Sequence, residues 1–431
     1  MLQTLKNAWK IPELRKKMLY TVLLLVVFRL GSYIPVPGLT PDAVKTMLGG
    51  FSDGMQGLLN NFSGGALERG SIFAMSISPY INASIIIQLL TVAIPALERL
   101  AKEGEEGRKK ISAYTRYGTV ILGFLQATGL YFGLKNYLVG GPSFMNYVML
   151  VVSFTAGTAF LMWLGEEITE KGIGNGISLL IFTGIVSRGP AMIQSLRATL
   201  ITAEGMSIQG LVTLIGVVVI AVLAIAFVVL MNDAERRIPV QYAKRVVGRK
   251  MYGGQSTHIP IKVSMAGVLP IIFAVSIMSF PQTINMFIYG ANGAPTGVWG
   301  MISGWFQQTH PVYIVLYFLL IVFFTYFYTA IQFNPIEVAN NMKKNGGFVP
   351  GIRPGKPTSD YVAKILSKIT LFGSLFLAVI AIFPILLAFV PNLKGVSIGG
   401  TSLLILVGVA LETVKQMESQ MLMRHYKGFL E

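Results

Sequence analysis

Residues 208–231, IQGLVTLIGVVVIAVLAIAFVVLM, run without a single charged side chain. About 20 mostly apolar residues in a helix cover the ~30 Å of hydrocarbon in a bilayer, so this stretch reads as a membrane span. Nine others read the same way, near 18–34, 72–94, 117–138, 147–164, 174–193, 265–289, 311–333, 369–391 and 396–413. Composition agrees: 53% of residues are hydrophobic and only 13% charged, far less charge than a water-soluble domain of this length carries. The sequence predicts an all-α polytopic membrane protein of ten transmembrane helices.

The basic residues give these helices an orientation. With Met1 in the cytoplasm, ten crossings return Glu431 to the same side. The cytoplasmic segments then hold 28 of the 35 Lys and Arg, the opposite side holds six, and Arg29 lies within the first span. That imbalance is the positive-inside signal, and both termini are expected in the cytoplasm. The N-terminal MLQTLKNAWKIPELRKK reads as a short amphipathic helix at the interface. The apolar run that follows shows no small-residue cleavage site and is kept as the first span.

The net charge of +16 largely follows from this topology, but two cytoplasmic segments exceed what topology needs. Residues 232–262 and 334–368 are much longer than the two to eight residues that suffice to connect helices. They mix Arg and Lys with Tyr, Gly, Pro and Val, unlike a solvated charge run. Long segments with their own turn chemistry tend to be functional, and basic surfaces favour anionic partners. They are read as docking platforms in preference to spacers.

Catalytic chemistry is nearly absent from the sequence. The chain has no cysteine, and its three histidines (His258, His310, His425) are scattered among separate loops and the tail. No phosphate-binding glycine loop and no paired-histidine zinc motif occurs. The central turns of the spans carry no Asp or Glu, whereas ion-coupled transporters hold their coupling ion on carboxylates at membrane depth. No catalytic residue, metal or cofactor is expected. A small-solute transporter, ion-coupled or passive, remains the alternative to a channel, since such proteins also use broken helices.

Two features are open from the residues alone. The segment GLTPDAVKTMLGGFSDGMQGLLNNFSGGALERGS, after the first span, holds a small apolar run among glycines, too short and polar to cross. It fits either an ordinary external loop or a re-entrant helix lining a cavity. The spans SISPYINASIIIQLL and GIGNGISLLIF carry Ile77/Ile81 and Ile177/Ile181 at i,i+4 spacing, which sets each pair on one helix face. Isoleucine in a membrane helix usually faces lipid, so the spacing does not identify a pore.

The strings SPYINASIIIQLL (78–90), EEITEKGIGNGIS (166–178), QYAKRVVGRKMYGGQSTHIPIKVSMAGVLPIIF (241–273) and NNMKKNGGFVPGIRPG (340–355) resemble the SecY family, the central subunits of bacterial protein-translocation channels. The resemblance runs over essentially the whole chain, with its motifs in order. It implies ten helices in two inverted pseudo-symmetric halves, here 1–200 and 201–431, forming a clamshell around an hourglass pore. The pore ring would be Ile77, Ile81, Ile177, Ile181, Ile272 and Ile405. The segment 54–66, with Leu58, Leu59, Phe62 and Gly64, would be the plug. A lateral gate between the second and third helices and the seventh and eighth would involve Asn82, Gln88, Asn175 and Phe280. The basic loops would seat the ribosome or the SecA motor ATPase through Arg236, Arg237, Lys244, Arg245, Arg249, Lys250 and Arg353. SecE, SecG and YidC are the further implied partners, with signal-bearing polypeptides as substrate and the bacterial plasma membrane as location. Two positions depart from the family pattern, Ser78 where Met is common and Asn82 where Ser is.

Topology is directly testable. Reporters fused near Gly104, Gly248 and Gly346 should read cytoplasmic, and those near Gly54, Gly140 and Asn292 external. Opposite readings at two or more sites would overturn the ten-span arrangement.

Overall fold

The computed structural model describes residues 2–39, 44, 63–134, 138–191, 193–194, 201–202, 205–206, 208–242, 245–247, 250–252, 256–289, 296–308, 310–387 and 400–427. Each of the ten expected spans coincides with a helix: α2 (Pro12–Gly31), α3 (Ser78–Ala93), α5 (Glu105–Leu134), α6 (Phe144–Lys171), α7 (Gly176–Ser187), α8 (Ile208–Asp233), α9 (Leu269–Tyr289), α11 (Pro311–Gln332), α13 (Lys356–Leu387) and α14 (Gly400–Lys427). A shorter helix, α1 (Leu2–Lys10), precedes them, and α4 (Pro95–Lys102), α10 (Gly297–Trp305) and α12 (Pro335–Lys344) lie between them.

The helix limits differ from the apolar limits for identifiable reasons. The second apolar stretch begins at 72, but α3 starts only at Ser78; residues 63–77 form a chain of turns. Gly64, Gly65 and Gly70 there have positive φ, as does Ser76 at 53°. Phe73, Ala74 and Met75 are apolar because the turns are buried, and hydropathy does not separate a buried turn from a helix. At the other end of α3, Pro95 lacks the N–H that would continue the helix and disfavours helical geometry at Ile94. The axis bends by 101° into α4, whose Glu98 and Lys102 pair across one turn.

The chain divides into two compact units, residues 1–211 with 276–313 and 405–431, and residues 212–275 with 314–404. In the first, Phe73 stacks on Phe28 of α2 at 6.1 Å and on Phe160 of α6 at 5.9 Å. A second core gathers Leu130, Leu134, Leu150 and Phe154 of α5 and α6 around Met75 and Leu67. The backbone crosses α6 very closely in two places. A Cβ at Gly157 would come to 2.0 Å from the Ile72 carbonyl oxygen, and one at Gly176 to 2.0 Å from that of Gly165. Small residues permit such approaches within membranes.

The tight turn from α6 to α7 frees buried backbone donors that would be costly unpaired. Two threonines receive them: Ile173 N–H donates to Thr21 Oγ1 at 3.0 Å, and Gly176 N–H to Thr169 Oγ1 at 2.8 Å. Asn175 caps α7, its side chain accepting from Ser178 N–H at 3.2 Å.

The second unit adds strands to a mostly helical protein. β3 (Glu235–Tyr242) and β6 (Ser256–Lys262) pair antiparallel, with Ile238 opposite Ile259 and Val240 opposite Thr257. β3 also pairs with β7 (Gly347–Phe348), giving the order β6-β3-β7. β4 (Arg245–Val247) pairs with β5 (Lys250–Tyr252) in the same unit, whereas the two-residue β1 (Ile201–Thr202) and β2 (Gly205–Met206) pair within the first. β3 alternates as a half-buried strand does: Ile238 and Val240 are buried while Arg237, Pro239 and Gln241 are exposed. They pack against Met342, Val349, Val362 and Leu366. The 232–262 and 334–368 segments, read as loops, thus share one sheet-and-helix core.

Gly176→Val should be severely destabilising, because overpacking of a close crossing costs about 1–3 kcal/mol or more. Gly216→Ala, on α8 with nothing within 4 Å of the added Cβ, serves as control. Thermal unfolding in detergent should show a clear loss for Gly176→Val and none for Gly216→Ala; equal midpoints would contradict the crossing.

Candidate pore, gate and docking sites

The pore-ring candidates occupy covered positions on helix starts. Ile77 is the residue before α3 and 1% exposed, with Ile81 N–H donating to its carbonyl at 3.0 Å. Ile177 and Ile181 lie on successive turns of α7; Ile181 is 3% exposed and Ile405 on α14 is 2% exposed. Ile81, Ile177 and Ile272 are half-buried. Five of the six belong to the first compact unit and Ile272 to the second. Ile177 is further held by the crossing itself, since a Cβ at Gly165 would meet its Cδ1.

Among the gate candidates, Asn82 and Gln88 are half-buried on α3, and Gln88 Nε2 reaches Ser84 Oγ at 3.5 Å. Phe280 is 65% exposed on α9, next to the internal Pro281. Asn175 has a structural task as the cap of α7. Of the plug candidates, Leu58, Leu59 and Phe62 lie outside the described residues. Gly64 is described, with φ of +65°.

The neighbourhood of Gly64 holds a cluster that the sequence reading passed over. Arg29 Nη1 and Arg69 Nη1 both donate to the Gly64 carbonyl, at 3.0 and 3.3 Å. Both guanidinium groups also lie over the Tyr33 ring, at 4.8 and 4.4 Å from its centre. Arg188 pairs at 3.8 Å with Glu68, four residues beyond Gly64. The available signal was Arg29 itself, a charge inside an otherwise apolar span.

The docking candidates divide by what holds them. Arg237 Nε bonds Glu235 Oε1 at 2.7 Å on β3, while Arg236 and Arg353 are exposed and make no ion pair among the described residues. Arg353 sits between Gly351 and Gly355, at φ of +79° and +103°. Its carbonyl accepts from Thr358 Oγ1 at 2.8 Å, and Thr358 is buried. The turn is therefore fixed from inside while its guanidinium points to solvent. Asn334 caps α12 through Ile336 and Glu337 N–H, anchoring the other end of this segment. Arg245 and Lys250 lie on β4 and β5; Lys244 and Arg249 fall outside the described residues. Among the described residues, no three His, Cys, Asp or Glu side chains come together as a metal site would require.

These positions can be compared with known proteins. The protein-family description SecY matches residues 71–414. A protein translocase subunit SecY from Halalkalibacterium halodurans is 48% identical over 439 residues, covering all of both chains.

The chain belongs to the SecY family.

It is accordingly a protein translocase subunit, a multi-pass protein of the cell membrane and a transport channel rather than an enzyme, which decides against the small-solute transporter. Its fold matches the solved structure of a protein-conducting channel, with a TM-score of 0.63 at 19% identity over 94% of this chain and 91% of that one. It also matches Sec61 in a canine ribosome–channel complex from the endoplasmic reticulum, with a TM-score of 0.57 at 18% identity over the same shares. Family membership carries the ten-helix SecY fold with it.

Proposed function

We propose that unfolded secretory polypeptides pass this SecY-family channel through a waist of Ile77, Ile81, Ile177, Ile181, Ile272 and Ile405. The observation that carries this reading is the covering of Ile77, Ile181 and Ile405, all at 3% exposure or less, in a chain whose central span turns lack acidic side chains. A narrow ring of branched aliphatics excludes water and so blocks ions, yet closes around varied polypeptides without specific hydrogen bonds. Residues 54–66 add a plug on the outer side. The halves 1–200 and 201–431 open sideways beside Asn82, Gln88, Asn175 and Phe280. An apolar segment then partitions into lipid, gaining a few tenths of a kcal/mol per Leu, Ile, Phe or Val, against about 3 lost for a central charge. No chemistry by this chain is required; partners supply the free energy.

The cytoplasmic sheet and the Arg353 turn form the docking surface in this reading. SecA or the ribosome engages Arg236, Arg237, Lys244, Arg245, Arg249, Lys250 and Arg353, with SecE, SecG and YidC as membrane partners. Support comes from the rigid, solvent-facing Arg353 turn and from the basic imbalance that puts both termini and both long segments in the cytoplasm. The membrane is the bacterial plasma membrane.

Replacing Ile81, Ile181 and Ile272 together with Ser should hydrate the waist and raise ion leakage from reconstituted vesicles severalfold. Unchanged conductance would remove these residues from the constriction. At the docking surface, Arg353→Lys keeps the charge but loses the planar fork, and Thr358→Val frees the turn behind it. Both should weaken SecA or ribosome binding to vesicles while reporter topology stays normal; because both variants keep the charge, the loss should persist at high salt, where exposed charges are screened. Undiminished affinity in both variants would leave the turn without a docking role.

A further inference from the structure

Of the four shorter helices α1, α4, α10 and α12, α10 alone carries no charged side chain; its sequence is GVWGMISGW. A nine-residue helix in water ordinarily shows a polar, charged face. Here Val298, Met301 and Trp305, at spacings of three and seven, lie along one face and are 77%, 65% and 42% exposed. The opposite face is fastened down. Ser303 is buried, Trp299 Nε1 donates to Asn285 Oδ1, and Gln282 Nε2 donates to the Phe306 carbonyl at 3.0 Å. Asn285 and Gln282 both belong to the last turns of α9, so α10 is held against the end of a membrane span with its apolar stripe turned outward.

The chemistry of the stripe selects its surroundings. α9 itself also exposes apolar side chains, Phe280 and Ile288 at 65% and 63%, on a helix that crosses the bilayer. α11 re-enters the membrane at Pro311, only a few residues beyond Trp305. Trp305, 42% exposed, and the half-buried Trp299 both belong to this helix, and Trp concentrates where hydrocarbon meets headgroups. A short uncharged helix at that level buries its apolar face in the acyl boundary.

We infer that α10 lies in the membrane interface, with Val298, Met301 and Trp305 immersed in lipid, and fixes the outer end of α9 to the bilayer. Which leaflet it occupies rests on the orientation proposed above; the lipid contact does not depend on the channel reading. Because α9 carries Phe280, one of the gate candidates, the attachment sets the level from which that helix moves.

The absence of native cysteine makes the test direct. Met301→Cys and, separately, Val298→Cys are labelled with an environment-sensitive nitrobenzoxadiazole dye in the complete translocase, reconstituted in phosphatidylcholine–phosphatidylglycerol vesicles. Glu103→Cys, on the exposed turn after α4, is the aqueous reference. Both α10 labels should emit to the blue of the reference, resist iodide, and be quenched best by lipids bearing a nitroxide near the carbonyl end of the chain. Iodide quenching equal to that of Glu103→Cys would place the stripe in water. Shielding from both iodide and nitroxide lipids would mean that protein covers it. Either result at both positions overturns the inference.

Discussion

In hydrocarbon there is no water to satisfy an amide, and that single constraint shapes everything else in this chain. Each span answers it with a helix, and the strands of the described residues are confined to the segments between spans. Hydroxyl groups within the spans obey the same rule by bonding back one turn: Thr119 to the Thr115 carbonyl, Thr183 to Leu179, Thr325 to Ile321 and Thr329 to Thr325, at 2.6 to 2.8 Å. Where the chain must leave helical geometry, side chains take over. Thr21 and Thr169 receive the two N–H groups released between α6 and α7, and this lets α7 start next to Gly165 with Ile177 already in place. The position of a pore-ring candidate thus traces back to two hydroxyl groups and a glycine.

The same constraint explains what the sequence disclosed. A span announces itself by composition because lipid tolerates little else, so all ten were legible. Their ends were less so, because hydropathy reports where the lipid stops and not where the helix does. α13 begins at Lys356 although its apolar run begins near 369, and α14 continues to Lys427 although its run ends near 413. The sheet was hidden for another reason. β3 reads ERRIPVQY, where only Ile238 and Val240 alternate, and its partner β7 is a two-residue strand more than a hundred positions away. No local pattern encodes such a pairing.

The candidate sites show the same division. The isoleucine pairs were visible as spacing, but spacing alone could not distinguish lipid contact from a waist; the family motifs supplied that meaning. Asn175 was read as a gate residue, and its side chain proves to cap α7, a role compatible with a helix start at such a site. The Arg29 and Arg69 contacts on Gly64 were illegible because a backbone carbonyl leaves no trace in a sequence. The same holds for the bond from Gln282 to the Phe306 carbonyl that helps tie α10 to α9.

Within the second unit, the basic surface is built directly onto membrane helices. α8 runs into β3 almost without interruption, and Val263 N–H returns to the Ala234 carbonyl at 2.9 Å, closing the base of the hairpin. α13 carries Val362 and Leu366 into the core beneath the sheet, then continues as one helix through the apolar stretch that holds Phe376, Ala378 and Ala381, all buried. At Gly373 it passes so close to the end of β6 that a Cβ would stand 2.5 Å from the Val263 carbonyl oxygen. A well-packed core transmits displacement rather than absorbing it. A force applied at Arg236 or at the Arg353 turn is therefore delivered to the same compact unit that holds α13 and most of α8.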